Sequence, residues 1–258
     1  MIKVVFFDID GTLVSFKTHR MSGNLKEKLH ELQAKGVKLF ISTGRSRLII
    51  NNLDGFPFDG YVAMNGAETT LGGEVIDSHP LPKAAAVKVA DLASRLNVSC
   101  WIFGETAAGI NFESPHTREV SASLQLFPER FYDLRKTVEE QKVYEYTIFL
   151  TEEEERKYIH PVIEGTCYTR WHPYFLDIVP EGLSKSYGAS KILERLGISR
   201  EECMAFGDGG NDIPLIEYAG VGVAMGNAAP DVKAVADYVT DSVDDDGIVT
   251  ALRHFGVL

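Results

Sequence analysis

The chain has few cysteines: Cys100, Cys167 and Cys203 are the only three in 258 residues, far apart and odd in number. None forms the C-x-x-C pair of a zinc site or a redox dithiol, so buried free thiols in a reducing cytoplasm are expected. Positive charge is also scarce. Lys and Arg number 26 against 37 Asp and Glu, a formal net charge of -11. That balance argues against nucleic-acid and anionic-membrane partners, though not against a local positive pocket for one phosphate. No apolar run is long enough to cross a bilayer. The N-terminus lacks the basic segment, apolar stretch and small-residue cleavage site of a secretory leader. Nucleotide-binding signatures are missing as well. There is no G-x-x-x-x-G-K-S/T, which excludes a P-loop, and no G-x-G-x-x-G after the first strand, which argues against a dinucleotide fold.

What is present begins at the N-terminus. Lys3-Val4-Val5-Phe6-Phe7 is a short apolar run that ends abruptly in Asp8-Ile9-Asp10-Gly11-Thr12-Leu13. Side chains two apart on a strand point to the same side, so Asp8 and Asp10 are expected to converge. Two neighbouring carboxylates repel, and a divalent cation removes the conflict. A metal site acting on an anionic substrate follows. The competing reading, that each Asp caps a turn or a helix, fits a paired buried position poorly.

The composition, 45% hydrophobic and 24% charged, is that of a soluble globular protein with room for one large domain or two smaller ones. Strands and helices alternate at both ends of the chain. Leu25, Leu29 and Leu32 mark a helical face closed by Gly36. Val37–Ile41 reads as a buried strand ending in Ser42-Thr43-Gly44-Arg45, and Tyr61–Met64 as another ending in Asn65-Gly66. Glu68 to Ile76 reads as a hairpin turning at Gly72-Gly73. From Lys83 to Val179 the pattern changes. An Ala-rich helix runs to Leu96, strand-like runs lie at Cys100–Phe103, Tyr144–Leu150, Thr166–Trp171 and Tyr174–Val179, and Thr151 with Glu154 forms a capping box. Alternation then resumes with a helix from Ser184 to Leu196 closed by Gly197. Buried strands follow at Cys203–Phe206, Val221–Met225 and Tyr238–Thr240. The expected fold is α/β: a doubly wound, parallel-sheet, Rossmann-like core formed by residues 1–82 and 183–258, with an α+β domain inserted at 83–182. Ligands of such sheets bind beyond the carboxyl ends of the strands. Asp8, Asp10, Thr43, Asn65, Asp208 and Asp212 all fall there.

Asp8, Asp10, Asp208 and Asp212 can share one mouth of the sheet. Oxygen-only ligands favour a hard cation. Magnesium fits best, because it binds few carboxylates and keeps waters that a phosphate can displace. Asp212 either caps and supports or binds metal. Thr43-Gly44, after a buried strand, is expected to open a helix. A hydroxyl, a backbone N–H and a positive helix end would then cradle phosphate; a simple N-cap is the alternative. Lys185 lies in a first helical turn, where the helix dipole disfavours a cation, which points to neutralising a nucleophilic Asp and its phosphoryl group; an exposed lysine is the alternative. The run Gly207-Asp208-Gly209-Gly210-Asn211-Asp212 lets the backbone turn tightly against a ligand. Asp244-Asp245-Asp246 reads as a solvated loop.

Taken together, these segments resemble the haloacid dehalogenase superfamily. Asp8-Ile9-Asp10-Gly11-Thr12-Leu13 is similar to its first motif, Thr43 to its second, Lys185 to its third and Gly207 to Asp212 to its fourth. Thr43-Gly44-Arg45, Met64-Asn65-Gly66 and the large insert look like the Cof-like sugar phosphatase branch, and particularly like bacterial hexose-phosphate phosphatases. The resemblance implies an aspartyl-phosphate on Asp8, with Asp10 as general acid and then base. It implies magnesium held by the Asp8 side chain, the Asp10 carbonyl and Asp208. Thr43, Gly44, Arg45, Lys185 and Asn211 would bind phosphate or substrate, Asp212 would support Lys185 or the metal waters, and the insert would act as a cap. The implied partner is a small phosphorylated metabolite, a sugar phosphate, with oligomeric state left open. A phosphosugar mutase of the same superfamily and a phosphoacceptor signalling domain are the alternatives.

Overall fold

The computed structural model describes residues 1–124, 130–159 and 163–258. In chain order the elements are β1 (Val4–Phe7), α1 (Gly23–Ala34), β2 (Lys38–Ser42), β3 (Gly60–Ala63), β4 (Glu68–Leu71), β5 (Glu74–Ser78), α2 (Lys83–Leu96), β6 (Cys100–Gly104), β7 (Ala108–Ile110), α3 (Pro115–Leu124), α4 (Leu134–Glu140), β8 (Val143–Ile148), α5 (Glu152–Tyr158), β9 (Thr166–His172), β10 (Phe175–Pro180), α6 (Lys185–Leu196), β11 (Cys203–Gly207), α7 (Ile213–Tyr218), β12 (Val221–Ala224), α8 (Pro230–Val235), β13 (Tyr238–Val239) and α9 (Gly247–His254). They fall into two compact units, Met1–Ser78 with Leu183–Leu258, and His79–Gly182. No helix among the described residues is long and apolar enough to cross a membrane.

The first unit is built on one sheet in the order β13-β12-β11-β1-β2-β3-β4-β5. Neighbours from β13 to β3 run parallel, and β4 and β5 extend the sheet antiparallel. β1 is apolar at every position because it is covered on both faces, as a central parallel strand must be. Val5 and Phe7 enter one core with Leu25, Leu29 and Leu32 of α1 and Ile248 and Leu252 of α9. Val4 and Phe6 enter a second core with Ala189, Ile192 and Leu193 of α6. The parallel strands all end at the same edge, so Asp8, Thr43, Met64 and Asp208 come to one rim. The hairpin expected between β4 and β5 turns at Gly72 and Gly73, both at positive φ.

The second unit is a five-stranded antiparallel sheet in the order β7-β6-β8-β10-β9. Val89 and Ala93 of α2 and Leu134 and Val138 of α4 pack on Ile102, Tyr146, Ile148 and Ile178. Thr151 and Glu154 close the capping box that opens α5. Two details depart from the sequence reading. The chain divides after Ser78 rather than after Pro82, because Leu81 lies in the second unit's core and its N–H bonds the Val143 carbonyl. Cys167 is only half-buried, whereas Cys100 and Cys203 are buried; all three are free thiols.

α6 is seated on the sheet by a glycine. A Cβ on Gly188 would lie 2.4 Å from Val62 Cγ1 and 2.9 Å from Thr69 Oγ1. In Gly188→Ala, overpacking this severe costs about 3 kcal/mol. Better helix propensity returns about 1 kcal/mol. A net loss of about 2 kcal/mol in unfolding free energy is expected from urea denaturation. An unchanged midpoint would mean that α6 can move off β3 and β4.

Candidate active site

The loop after β1 folds back on itself at once. The N–H groups of Leu13 and Val14 both bond the Ile9 carbonyl, and Gly11 N–H bonds the Val14 carbonyl. Gly11 has φ +83, and a Cβ there would lie 2.2 Å from Asp208 Oδ2, so only glycine allows the loop this close to the neighbouring strand end. Thr12 Oγ1 donates to Asp208 Oδ1 at 2.8 Å. Asp8 remains nearly buried, 7% exposed, with its N–H on the Phe206 carbonyl of β11.

The turn after β11 is organised by Asp212. Its Oδ2 accepts the N–H groups of Asp208 and Gly209, each at 3.0 Å. Its Oδ1 accepts from Lys185 Nζ at 2.5 Å. The same ammonium donates to Asp8 Oδ1 at 2.6 Å. Lys185 is fully buried and Asp212 is 1% exposed. Lys185 therefore stands in the first turn of α6 not as an exposed cation against the dipole, but as the counter-charge of two carboxylates. Burial alone would lower its pKa; Asp212 and Asp8 outweigh burial and hold it above the usual lysine range. Burial raises the Asp8 carboxyl well above the usual range. Asp212 and Asp208 add to the rise, and Lys185 opposes it.

Asp10 takes a different partner. Arg45 Nε donates to its Oδ2 at 2.6 Å and Nη2 to its Oδ1 at 2.8 Å, a bidentate pair. The carboxylates of Asp8 and Asp10 are thus each met by a different cation. Thr43 is buried, and its Oγ1 accepts from Arg45 N–H. No α-helix opens at Thr43-Gly44, contrary to expectation. A short 3-10 turn, Arg47–Ile49, follows instead, capped by Ser46. The segment is diverted because Arg45 and Thr43 give their carbonyls to the N–H groups of Met64 and Asn65 at the end of β3. The helix-dipole part of the predicted cradle is absent, leaving the Thr43 hydroxyl and the Gly44 N–H, since the Thr43 N–H bonds the Val62 carbonyl and the Arg45 N–H bonds Thr43 Oγ1. Asn211 Nδ2 donates to Asn65 Oδ1 at 3.0 Å, and a Cβ on Gly44 would sit 3.4 Å from Asn65 Nδ2 and 3.5 Å from Asn211 Nδ2.

The carboxylates of Asp8, Asp208 and Asp212 offer oxygens within 4.8 Å of one another. An all-oxygen donor set of this kind fits a hard divalent cation. Asp212 is already committed to two N–H groups and Lys185, so Asp8 and Asp208 are the side chains fitted to hold one. The Asp10 carboxylate does not join the group. Sequence reasoning gave Thr12 no separate role and missed Asn227, whose Nδ2 donates to the Gly11 carbonyl at 2.8 Å and reaches Asp208 Oδ2 at 3.3 Å. Gly226-Asn227 directly after a buried strand was the available signal. The expected solvated loop at 244–246 is tied down: Asp244 accepts from Ser15 and Lys17, and Asp246 from Ser22 and Asn24.

Residues 5–252 match the family model for haloacid dehalogenase-like hydrolases. The relative named "Putative phosphatase YkrA" of Bacillus subtilis (strain 168) is 35% identical over 264 residues, covering 99% of this chain and 98% of that protein. A solved structure of BT1666 from Bacteroides thetaiotaomicron, one of the phosphatases of this superfamily, is 37% identical with a TM-score of 0.89, over 100% of this chain and 96% of its own. The subclass IIB sugar phosphatase BT4131 is 40% identical with a TM-score of 0.88, over 99% and 100%.

Burial pushes the Asp208 carboxyl up to about 6; Asp212 and Asp10 add to the rise, while the Thr12 hydrogen bond and Lys185 oppose it. A carboxyl raised on folding stabilises the fold fully below its unfolded pKa, near 3.8, and that contribution is lost as pH rises through about 6. Asp208→Asn keeps a neutral acceptor for Thr12 at every pH. Without divalent cations, the variant is expected to melt above the wild type at pH 8, with the gap closing toward pH 4.5. A gap independent of pH, measured by calorimetry, would assign the difference to something other than this ionisation.

Proposed function

The chain belongs to the haloacid dehalogenase-like hydrolases and is a phosphatase, and from that premise we propose that it is a magnesium-dependent phosphatase of small phosphate monoesters, hexose phosphates first among them. Asp8 carries the reading. It is a buried carboxylate at the end of a central strand, with one oxygen on Lys185 and the carboxylates of Asp208 and Asp212 beside it. The description of BT4131 as a sugar phosphatase supports the choice of ester.

In this mechanism a carboxylate oxygen of Asp8 attacks phosphorus, and the bond to the leaving alcohol breaks. Asp10 gives that alcohol its proton. Asp10 then takes a proton from water, which attacks the aspartyl-phosphate and releases Asp8 and inorganic phosphate. Lys185, the Thr43 hydroxyl, the Gly44 N–H and Asn211 bind the phosphoryl oxygens as charge redistributes. Asp212 keeps Lys185 in place. Arg45 exchanges the Asp10 carboxylate for the substrate. Asp8 and Asp208 through their side chains and Asp10 through its main-chain carbonyl would hold magnesium. When bound, magnesium supplies positive charge against the phosphoryl oxygens. The inserted unit, His79–Gly182, would select the leaving group. The partner is a small phosphorylated metabolite rather than nucleic acid or membrane, in keeping with the net charge of -11 and a cytoplasmic setting.

Phosphate release from a panel of sugar phosphates, nucleotides and short acid phosphates tests this directly. Release is expected with magnesium and not with chelator. Asp8→Asn is expected to lower kcat about 10⁴-fold or more while keeping its circular dichroism and melting transition. Turnover surviving in that variant would remove Asp8 as nucleophile, and an isomeric sugar phosphate formed without free phosphate would make the enzyme a mutase.

A further inference from the structure

The end of β3 has a backbone that no turn of ordinary residues adopts freely. Met64, Asn65 and Gly66 follow one another at φ 48, 52 and 99. For the two residues with side chains this is the sparsely allowed left-handed region. Tertiary contacts hold it there. Met64 N–H bonds the Arg45 carbonyl at 3.2 Å and Asn65 N–H the Thr43 carbonyl at 3.0 Å. At Gly66 a Cβ would lie 2.4 Å from the Ser184 carbonyl oxygen, one residue before Lys185. Arg47 Nε donates to the buried Glu68 at 3.2 Å, on the far side of the same turn.

This backbone turns the Asn65 carboxamide toward Gly44 and Asn211. Its Oδ1 accepts one N–H of Asn211, and its own Nδ2 sits 3.4 Å from the place a Gly44 Cβ would occupy. Asn211 Nδ2 is 3.5 Å from the same place. Gly44 is not at positive φ, so its backbone does not demand glycine. The Asn65 carboxamide, with Oδ1 at 3.6 Å as well as Nδ2, and the Asn211 amide nitrogen therefore border a space the width of one methyl group at Gly44. Asn211 is solvent-exposed, so without a partner its side chain would sample several rotamers and lose entropy each time it met an anion.

We propose that Asn65 is a positioning residue of the phosphoryl site: its carboxamide fixes Asn211 and turns the amide edges of both toward the oxygens of the transferring group. The proposal rests on the phosphatase reading of this site and adds a residue from a fourth strand end, that of β3. Donors fixed in advance act on the charge that develops during transfer, so the effect falls on kcat more than on KM.

A purely structural role makes a different prediction. Gly, Asn and Asp all tolerate the left-handed region, so Asn65→Gly and Asn65→Asp both preserve the turn. If Asn65 positions Asn211, Asn65→Gly loses between about 10-fold and 100-fold in kcat with its melting transition kept. Inorganic phosphate then binds more weakly by calorimetry. In the double variant with Asn211→Ala the losses do not add, since both removals break one unit. Asn65→Asp keeps the acceptor for Asn211 but sets a negative charge beside the phosphoryl oxygens, so it loses phosphate binding more completely than Asn65→Gly. Wild-type kcat and phosphate affinity in either variant would overturn the proposal, as would strictly additive losses with Asn211→Ala. Failure of the phosphatase reading has a separate signature, turnover surviving in Asp8→Asn, and calorimetry with inorganic phosphate reads Asn65 independently of turnover.

Discussion

A fully buried ammonium between two carboxylates governs this molecule. Lys185 cannot reach water, and its ammonium donates to the buried Asp8 and Asp212 carboxyls at 2.6 and 2.5 Å. Each of the three is fixed by a different part of the chain. Asp8 is set by the buried register of β1, Lys185 by α6 seated on β3 and β4, and Asp212 by a turn whose N–H groups it holds itself. Removing Lys185 would leave two buried carboxylates without their counter-charge, which is strongly destabilising. The geometry is therefore maintained by the same forces that maintain the fold.

The remaining charges are kept apart. Asp10 is paired with Arg45, and among the described residues the Asp208 side chain has only neutral hydrogen-bond partners, Thr12 and Asn227. Of the carboxylates that gather at the rim, Asp208 is thus the one whose charge is least answered within the protein, which fits it to meet a cation from outside. Gly11 and Gly207 make the arrangement possible. A Cβ on either would strike the carboxylates of Asp208 or Asp212.

The core was legible in the sequence where local signals and tertiary demands agree. The uninterrupted apolar residues of β1 announce burial on both faces, Leu25, Leu29 and Leu32 give the buried face of α1, and Gly36 and Gly197 adopt the positive φ that ends a helix. Lys185 was visible because it broke a local rule, and what it breaks the rule for is two acids 177 and 27 residues away. Thr43-Gly44 misled because helix opening there is decided by Met64 and Asn65, which capture the carbonyls of the segment from another strand. The Arg45–Asp10 pair spans 35 positions and follows no spacing rule. Asp244 and Asp246 read as solvent-facing because their partners, Ser15, Lys17, Ser22 and Asn24, lie more than 220 positions earlier.

The strand order has a consequence for how the protein comes into being. β1 is translated well before its partner β11, from which the whole inserted unit separates it, and Thr12 must wait 196 residues for Asp208. Synthesis proceeds at roughly 5–20 residues per second, so the nascent β1, with β2 on one side, lacks its neighbour on the other for on the order of ten seconds or more. Contacts this distant in sequence also close slowly once the chain is complete. The rim therefore assembles late: Lys185 and Asp212 must both emerge before Asp8 has its buried counter-charge and that charge its second acid.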